Sequence, residues 1–331
     1  MILHVLDALA ELAVDRVVVV VGHGANEVTK TVQSEAPARF ALEFVEQPEP
    51  RGTGDAVSVA LTGFPDAGDD DDVLILPGDT PLVRPATLAH LVTRHRDDDA
   101  AASILTAKLE DPFGYSRVLR AKDGRVRRIV DDGEATPDEL GVDEVATQIY
   151  CFRRGVLAPV LRRLSPDNTL GEYYLTDTIE VLHDAGYGVV SVLSGDPVEG
   201  AGVNDRAQLA AAEAEMRVRL NDRWMRRGVT MVDAEATYLD TTVELAPDVT
   251  LLPGVVLEGR TTVGSGSVLG PQVHLVDCEL GEGVRITQST GERAILEDQV
   301  QVGPFSVLEP GTRLEAGERV GPFFGRGRGW S

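Results

Sequence analysis

The sequence is short of everything that would place it in a membrane or outside the cell. No run of eighteen apolar residues occurs in its 331 residues, which excludes a transmembrane helix of ordinary length. Met1 leads straight into ILHVLDALAEL, with neither a basic start nor a small-residue cleavage site, so no secretory signal is expected. There are two cysteines, Cys151 and Cys278, far apart and in no metal-ligand spacing, and a reducing cytoplasm fits them best. Lysine is almost absent and arginine supplies nearly all the cations. The formal charge of −23 argues against nonspecific binding to nucleic acid or to an anionic membrane. The acid runs at 69–72 and 97–99 read as solvated loops. His4, His90, His95, His183 and His274 make no ligand spacing with one another, and His23, between two glycines, reads as a turn residue.

What is present is an ordinary globular composition, 43% apolar and 26% charged, long enough for two domains. The C-terminal third carries an internal repeat. Leu245, Leu251, Leu257, Val263, Leu269 and Leu275 recur every sixth residue, and Val243, Val249, Val255, Thr261, Ser267 and Val273 keep the same register two residues earlier. After a slip the pattern returns at Leu280 and Ile286, then at Leu296, Val302, Leu308, Leu314 and Val320. A helix needs a period near 3.6, so the hexads predict a left-handed parallel β-helix, one inward apolar residue per flat face with glycine-rich corners. Three hexads per coil give roughly four coils.

Upstream the pattern alternates between helix and strand. Residues 2–13 read as an amphipathic helix, RVVVVVGHG (16–24) as a buried strand ending in glycines, and ALEFV (41–45) as another strand. EQPEPRGTGDAVSVAL then sets glycines ahead of a helix beginning near Thr53. Bare amides at such a start can receive an anion or a polar ligand edge, and a simple turn explains them equally well. The chain is organised around VLILPGDTPL (73–82), an apolar strand that stops at Pro77, Gly78 and Asp79. Ligands of an α/β sheet sit beyond the carboxyl ends of its strands, so an aspartate there can hold a divalent cation against a phosphate; a turn in which Pro, Gly and Asp satisfy the backbone is the alternative. A helix over 85–96, a strand over 102–109, strand-like residues 115–152, helices over 154–164 and 174–185, and the strand VVSVL complete the pattern. It predicts an α/β class, a doubly wound, Rossmann-like and mostly parallel sheet. A helix over 206–227, free of glycine before Gly228, joins it to the hexads.

GTG, a strand ending in GD, FGY, EYYLTD and GVND, followed by a long helix and hexads, together resemble one family. It is the bifunctional N-acetylglucosamine-1-phosphate uridylyltransferase / glucosamine-1-phosphate N-acetyltransferase family, and the resemblance runs from residue 1 to about 320. It implies a nucleotidyltransferase domain over 1–204, a connecting helix over 205–228, an acetyltransferase-like β-helix over 229–322 and an aberrant tail over 323–331. It further implies UTP and N-acetylglucosamine 1-phosphate as substrates, UDP-N-acetylglucosamine as product, Mg²⁺ as cofactor and a homotrimer formed through the β-helix. Carried over residue by residue, Gln47 contacts uracil, Gly52 and Thr53 close over the nucleotide, and Gly78 and Asp79 meet its phosphates. Asp79 and Asn204 ligate the metal; read without the resemblance, Asn204 is an N-cap of the long helix.

The resemblance also exposes departures. Family members open with a strand and a glycine-rich loop whose arginine and lysine bind triphosphate, and this sequence starts after both. Cationic groups of that kind are worth about 10³ to 10⁵ in rate in comparable phosphoryl transfers, so weak uridylyl transfer is expected and no catalytic residue is assigned. The missing strand would be central to the sheet and leave its neighbours' backbone groups unpartnered. At the sugar pocket, glycine, glutamate and asparagine are replaced by Ser116, Asp131 and Ala146; Asp55 stands where the family has histidine. Glu309 replaces an arginine that meets sugar phosphate, and the residues for acetyl transfer lie beyond 323, where the sequence turns into FFGRGRGWS. Loss of the acetyl-CoA site, and a chain shortened at both ends by a misplaced start or shifted frame, are therefore expected. Asp177 reads as a helix start, Cys151 as core, and Tyr115 and Glu172 as either packing or sugar contacts. Two other functions remain open: a noncatalytic trimeric sugar-nucleotide-binding scaffold, and a nucleotidyltransferase for another sugar phosphate.

Overall fold

Side chains alternate across a strand, so a sheet covered on both faces needs strands that are apolar at every position. The computed structural model describes residues 1–64 and 71–325 and has that property at its centre. In chain order its first unit holds helix α1 (Ile2–Leu9), strand β1 (Arg16–Val21), α2 (Ala25–Glu35), β2 (Ala41–Glu46), α3 (Thr53–Ala60), β3 (Asp72–Ile75) and α4 (Pro85–Asp97). These are followed by β4 (Ala102–Lys108), β5 (Arg117–Arg120), β6 (Val126–Val130), α5 (Pro137–Leu140), β7 (Glu144–Arg153), α6 (Arg154–Leu161), α7 (Asp177–Asp184) and β8 (Val189–Leu193). The chain divides into two compact units, Met1–Leu209 and Ala210–Ser331, and the division falls inside the long helix α8 (Arg206–Arg226). Part of the first acid run, residues 69 and 70, and the tail beyond Gly325 lie outside the described residues.

Alternate residues of the central strands belong to two different cores. Ile104, Tyr150 and Phe152 pack with Val57 of α3, Leu157 and Leu161 of α6, and Ile179 and Leu182 of α7. Their neighbours Leu105, Ile149 and Cys151 pack with Leu6 of α1, Val32 of α2, and Leu88 and Leu91 of α4. Helices therefore cover both faces, as a doubly wound sheet requires. The sheet itself is mixed and corrects the expectation of a mostly parallel one. Its order is β6-β5-β7-β4-β8, with β3 also on β7. Only β4 and β8 run parallel in it, while β7 is antiparallel to β3, β4 and β5. β5 and β6 form an antiparallel hairpin, and residues 131–143, with the short helix α5, carry the chain past β5 so that β7 enters between β5 and β4, antiparallel to both. Strands β1 and β2 form a parallel pair of their own, and among the described residues β3 hydrogen-bonds along one side only, to β7. Helix α2 escaped the sequence reading because Val32 is its one buried residue, too faint an apolar stripe to count.

The second unit is a parallel solenoid. Leu239, Leu257 and Leu275 stack one coil of three hexads apart, as do Leu245 with Val263 and Leu251 with Leu269. All of these are buried, and so are Val243, Val249, Val255 and Val273 at the preceding positions. Where the earlier position is Thr261 or Ser267, the buried hydroxyl is satisfied across coils: Cys278 N donates to Thr261 Oγ1 at 3.2 Å, and Ser267 Oγ donates to Gly281 O at 3.1 Å. The three faces carry five, five and six strands, so there are about five coils where the hexad count gave four. The difference lies at the start, where Thr230–Met231 pairs with Thr250–Leu251 and Tyr238–Leu239 with Val256–Leu257, ahead of the first regular hexad. The slip after Leu275 is a shortened coil: Leu275 pairs with Gly291, whose absent side chain leaves room for Leu275 and Leu308 above and below.

Candidate functional site

The GTG loop is built by close approach. Gly52 precedes α3 with φ 101° and ψ 173°, a region only glycine occupies readily. A Cβ there would lie 2.6 Å from Tyr173 O, and one on Gly54 would lie 2.6 Å from Leu164 Cδ1. Gly54 N donates to Tyr173 O (2.7 Å), Tyr173 N to Arg51 O (2.8 Å) and Leu175 N to Thr53 Oγ1 (3.0 Å), so the loop is laced to the EYYLTD segment. Gln47, at the end of the β1–β2 ladder, turns its amide back on the same loop. Its Nε2 donates to Asp55 Oδ2 at 2.7 Å and to Gly52 O at 3.3 Å.

Beyond the end of β3 the chain turns at Gly78 and Asp79. Gly78 is exposed, and a Cβ on it would meet only Ile2 Cδ1, at 3.8 Å. Asp79 O accepts from Val203 N at 3.0 Å, which brings the residues before α8 alongside. The missing Cβ of Gly202 would sit 3.7 Å from Asp79 Oδ2 and 3.9 Å from Asn204 Nδ2. Carboxylate and amide thus face one point that a side chain at 202 would fill. Asn204 does not cap α8: Asp205 Oδ1 accepts from Gln208 N at 2.7 Å, and Gln208 Oε1 accepts from Asn204 N at 2.6 Å. The capping alternative for Asn204 is therefore corrected, because the next residue does that work. Behind the turn, Glu199, almost fully buried, accepts from Arg84 N, and Arg84 reaches Asp196 at 2.8 Å. Among the described residues no three of His, Cys, Asp and Glu come together in a way that could hold a metal, so a cation at Asp79 and Asn204 would take its other ligands from substrate oxygens and water.

Ser116, Asp131 and Ala146 lie together. Ala146 N donates to Ser116 O at 2.9 Å, and Ser116 Oγ lies 3.4 Å from Asp131 Oδ2, while Asp131 Oδ1 accepts from Gly133 N at 3.2 Å. Burial, then the charges of Asp131, Glu134, Glu172 and Asp177, push the Tyr174 phenol up. On the other side a Cβ on Gly200 would fall 2.3 Å from Thr147 Cγ2, so the chain at Gly200 runs tight against β7. Gln47 and the EYYLTD segment are thus tied to the GTG loop, Gly200 to β7 beside Ala146, and Val203 to Asp79.

Residues 1–195 match the profile of the MobA-like NTP transferase domain. Over 323 residues the chain is 39% identical to the bifunctional protein GlmU of Desulfitobacterium hafniense, an alignment covering 98% of this chain and 69% of the relative. GlmU of Brevibacillus brevis is 39% identical over 98% of this chain and 68% of its own length; that of Trichlorobacter lovleyi is 41% identical over 96% and 68%. The chain belongs to the GlmU family. The order of motifs, which first suggested the resemblance, is thus matched by similarity along nearly the whole chain.

Elsewhere in this GlmU-family chain the structure revises several readings. Asp72 is no solvated loop residue: it takes Arg96 Nε at 2.6 Å and lies 3.3 Å from His95 Nε2, and His95 Nδ1 lies 2.9 Å from Ser103 Oγ. Ser, His and Asp in line imitate a hydrolase triad, but Ser103 is 0% exposed inside β4 and no acyl donor can reach it. Burial holds the His95 pKa below its usual value. In the second run, Asp98 pairs with Arg94 and Asp99 with Arg153. Cys151 is core as expected, its thiol pushed up to about 12 by burial. His23 and Glu309 are exposed. The Arg117 guanidinium donates to the Tyr115 carbonyl, and Glu172 N donates to Asn168 Oδ1 at 3.0 Å. Among the described residues no helix is long and apolar enough to cross a membrane.

Asp177 opens α7, as a helix start should, yet burial, then Glu134 and Glu180, push its carboxyl up to about 6. A raised carboxyl pKa means that the folded state holds the proton longer than the unfolded chain. Its contribution is therefore most favourable below the ordinary aspartate value of 3.8 and is lost as pH rises through about 6. Asp177→Asn is expected to raise the melting temperature at pH 7.5, with the gain shrinking to nothing as thermal scans are taken down to pH 4. A gain that is the same at both pH values would contradict the assignment.

Proposed function

We propose that the N-terminal unit transfers UMP from UTP to N-acetylglucosamine 1-phosphate, giving UDP-N-acetylglucosamine and pyrophosphate, in the cytoplasm. The observation that carries this reading is the pair Asp79 and Asn204 facing one open point at Gly202, beyond the end of β3, where α/β sheets take their ligands. A carboxylate and, after a half-turn of its amide, the Asn204 oxygen are hard donors that fit Mg²⁺. When bound, Mg²⁺ would neutralise charge on the phosphates and on the departing pyrophosphate. Gln47 would meet the uracil, Gly52 and Thr53 would close over the nucleotide, and the Gly78 backbone would approach its phosphates without a side chain in the way. The acceptor is a phosphate oxygen, already ionised and nucleophilic, so the chain need only align it with the α-phosphorus and exclude water.

Slow turnover belongs to this reading. Ala146 offers the sugar no side-chain hydrogen bond, and both oxygens of Asp131 are engaged by Ser116 and Gly133. The solenoid would act as the trimerising scaffold and not as an acetyltransferase, because an exposed carboxylate at Glu309 repels a sugar phosphate. Pyrophosphate release from UTP, N-acetylglucosamine 1-phosphate and Mg²⁺ is the test, with EDTA as control. Slow, EDTA-sensitive release specific to that pair is expected, from a species of three times the 35.5 kDa chain mass in light scattering. UTP binding without release from any pair would favour the noncatalytic binder. Preference for a guanine or thymine nucleotide would favour another sugar phosphate. Neither binding nor release with any nucleotide would sink the reading.

A further inference from the structure

We propose that Asp55 is a positioning residue that fixes which way round the Gln47 amide meets a nucleobase; the proposal rests on the reading of Gln47 as the base contact. Gln47 Nε2 donates to Asp55 Oδ2 at 2.7 Å and to Gly52 O at 3.3 Å. A carboxylate and a backbone carbonyl can only accept, and a carboxamide nitrogen has two hydrogens to give. Both are committed inside the protein. The amide cannot turn over without setting its own oxygen against two other oxygens, so what it offers a ligand is Oε1, an acceptor with no donor beside it. The clamp is firm for two reasons. The bond to Asp55 is charge-assisted, a class about twice as strong as neutral pairs. Asp55 also lies in the first turn of α3, where unpaired amides favour a negative charge.

The consequence is selectivity between pyrimidines. Uracil presents N3–H at the middle of its pairing edge, whereas cytosine presents a bare N3 lone pair at the same place. An acceptor-only Gln47 matches the first and repels the second. An amide free to turn over could serve either, so the carboxylate at 55 makes an adaptable glutamine into a single-sense reader.

The test titrates the full 331-residue chain with UTP and with CTP in Mg²⁺, in wild type, Asp55→Asn and Asp55→Ala, and follows the Gln47 side-chain amide by ¹H–¹⁵N NMR. In Asp55→Asn the new amide can donate to Gln47 Oε1 and let it turn. The UTP-over-CTP affinity ratio is then expected to fall roughly tenfold, with CTP binding gained as UTP binding is lost. A merely structural Asp55 would weaken both nucleotides together and leave the ratio alone. The Gln47 amide protons are expected downfield in wild type, moving toward the free-amide position and exchanging faster in Asp55→Ala. An unchanged ratio in Asp55→Asn overturns the proposal, and so do unmoved Gln47 resonances in Asp55→Ala. If wild type takes neither nucleotide while the Gln47 signals still depend on Asp55, the uridylyl reading falls and the acceptor-only clamp stands.

Discussion

Asp79→Ala is expected to remove Mg²⁺-dependent UTP binding from this chain while leaving its fold intact. The carboxylate is the charged group of the pair around Gly202, and Asn204 is neutral. Loss of an outer-sphere partner alone typically costs 10- to 100-fold in metal affinity, so loss of a direct anionic ligand should cost more than about 100-fold. The fold should survive, because the structural bond at this residue is from Val203 N to the backbone carbonyl, which alanine keeps. Asp79 is also only half-buried, so no cavity opens. Calorimetric titration with UTP, with Mg²⁺ and then with EDTA, decides the matter: wild type should lose most of its affinity in EDTA, and Asp79→Ala should show the weak value in both. Equal affinity for wild type and variant in Mg²⁺ would move the metal elsewhere. Asn204→Ala should show a smaller loss of the same kind.

Gly52→Ala is expected to cost about 3 kcal/mol or more in stability and to abolish nucleotide binding with it. Two terms add. The backbone at φ 101° and ψ 173° lies where alanine is strained. The new methyl would also stand 2.6 Å from Tyr173 O and 2.9 Å from Tyr173 N, and these are backbone atoms that cannot swing aside. Relief requires parting the GTG loop from residues 173–175, which undoes three hydrogen bonds and withdraws Thr53, Asp55 and Gln47 from their places together. Gly24→Ala separates the two terms. Gly24 also has a positive φ, 74°, but nothing lies within 4 Å of its Cβ position, so it should lose only about 1 kcal/mol. Urea denaturation of both variants measures the difference, and similar losses would show that the close approach to Tyr173 carries no weight.

Much of this architecture was legible along the chain because periodicity is a local property. The six-residue ladder is one inward side chain per flat face repeated, and each of its leucines from Leu245 to Leu275 is buried as the spacing requires. Long apolar strands such as β4 could be read because both faces are covered, while α2, with one buried valine, could not. The candidate site was legible as motifs, GTG and GD and GVND, but not as contacts. Asp55 looked like a departure from a family pattern; its position eight residues from Gln47 carries no sign that its carboxylate holds that amide. Read without the family resemblance, Asn204 passes for a helix cap, and only the bond from Gln208 N shows that Asp205 fills that role.

Sequence by itself determined the two architectures, their order, the strand that leads into the turn at Asp79 and the repeat that follows α8, because each depends on residue type at a fixed short spacing. Tertiary structure decided the direction of β7, the number of coils, and the partners of Asp72, Asp55, Gly52 and Gly202. Those depend on which distant segment comes within 3 Å, and hydrogen bonding and steric exclusion act through space, not along the chain.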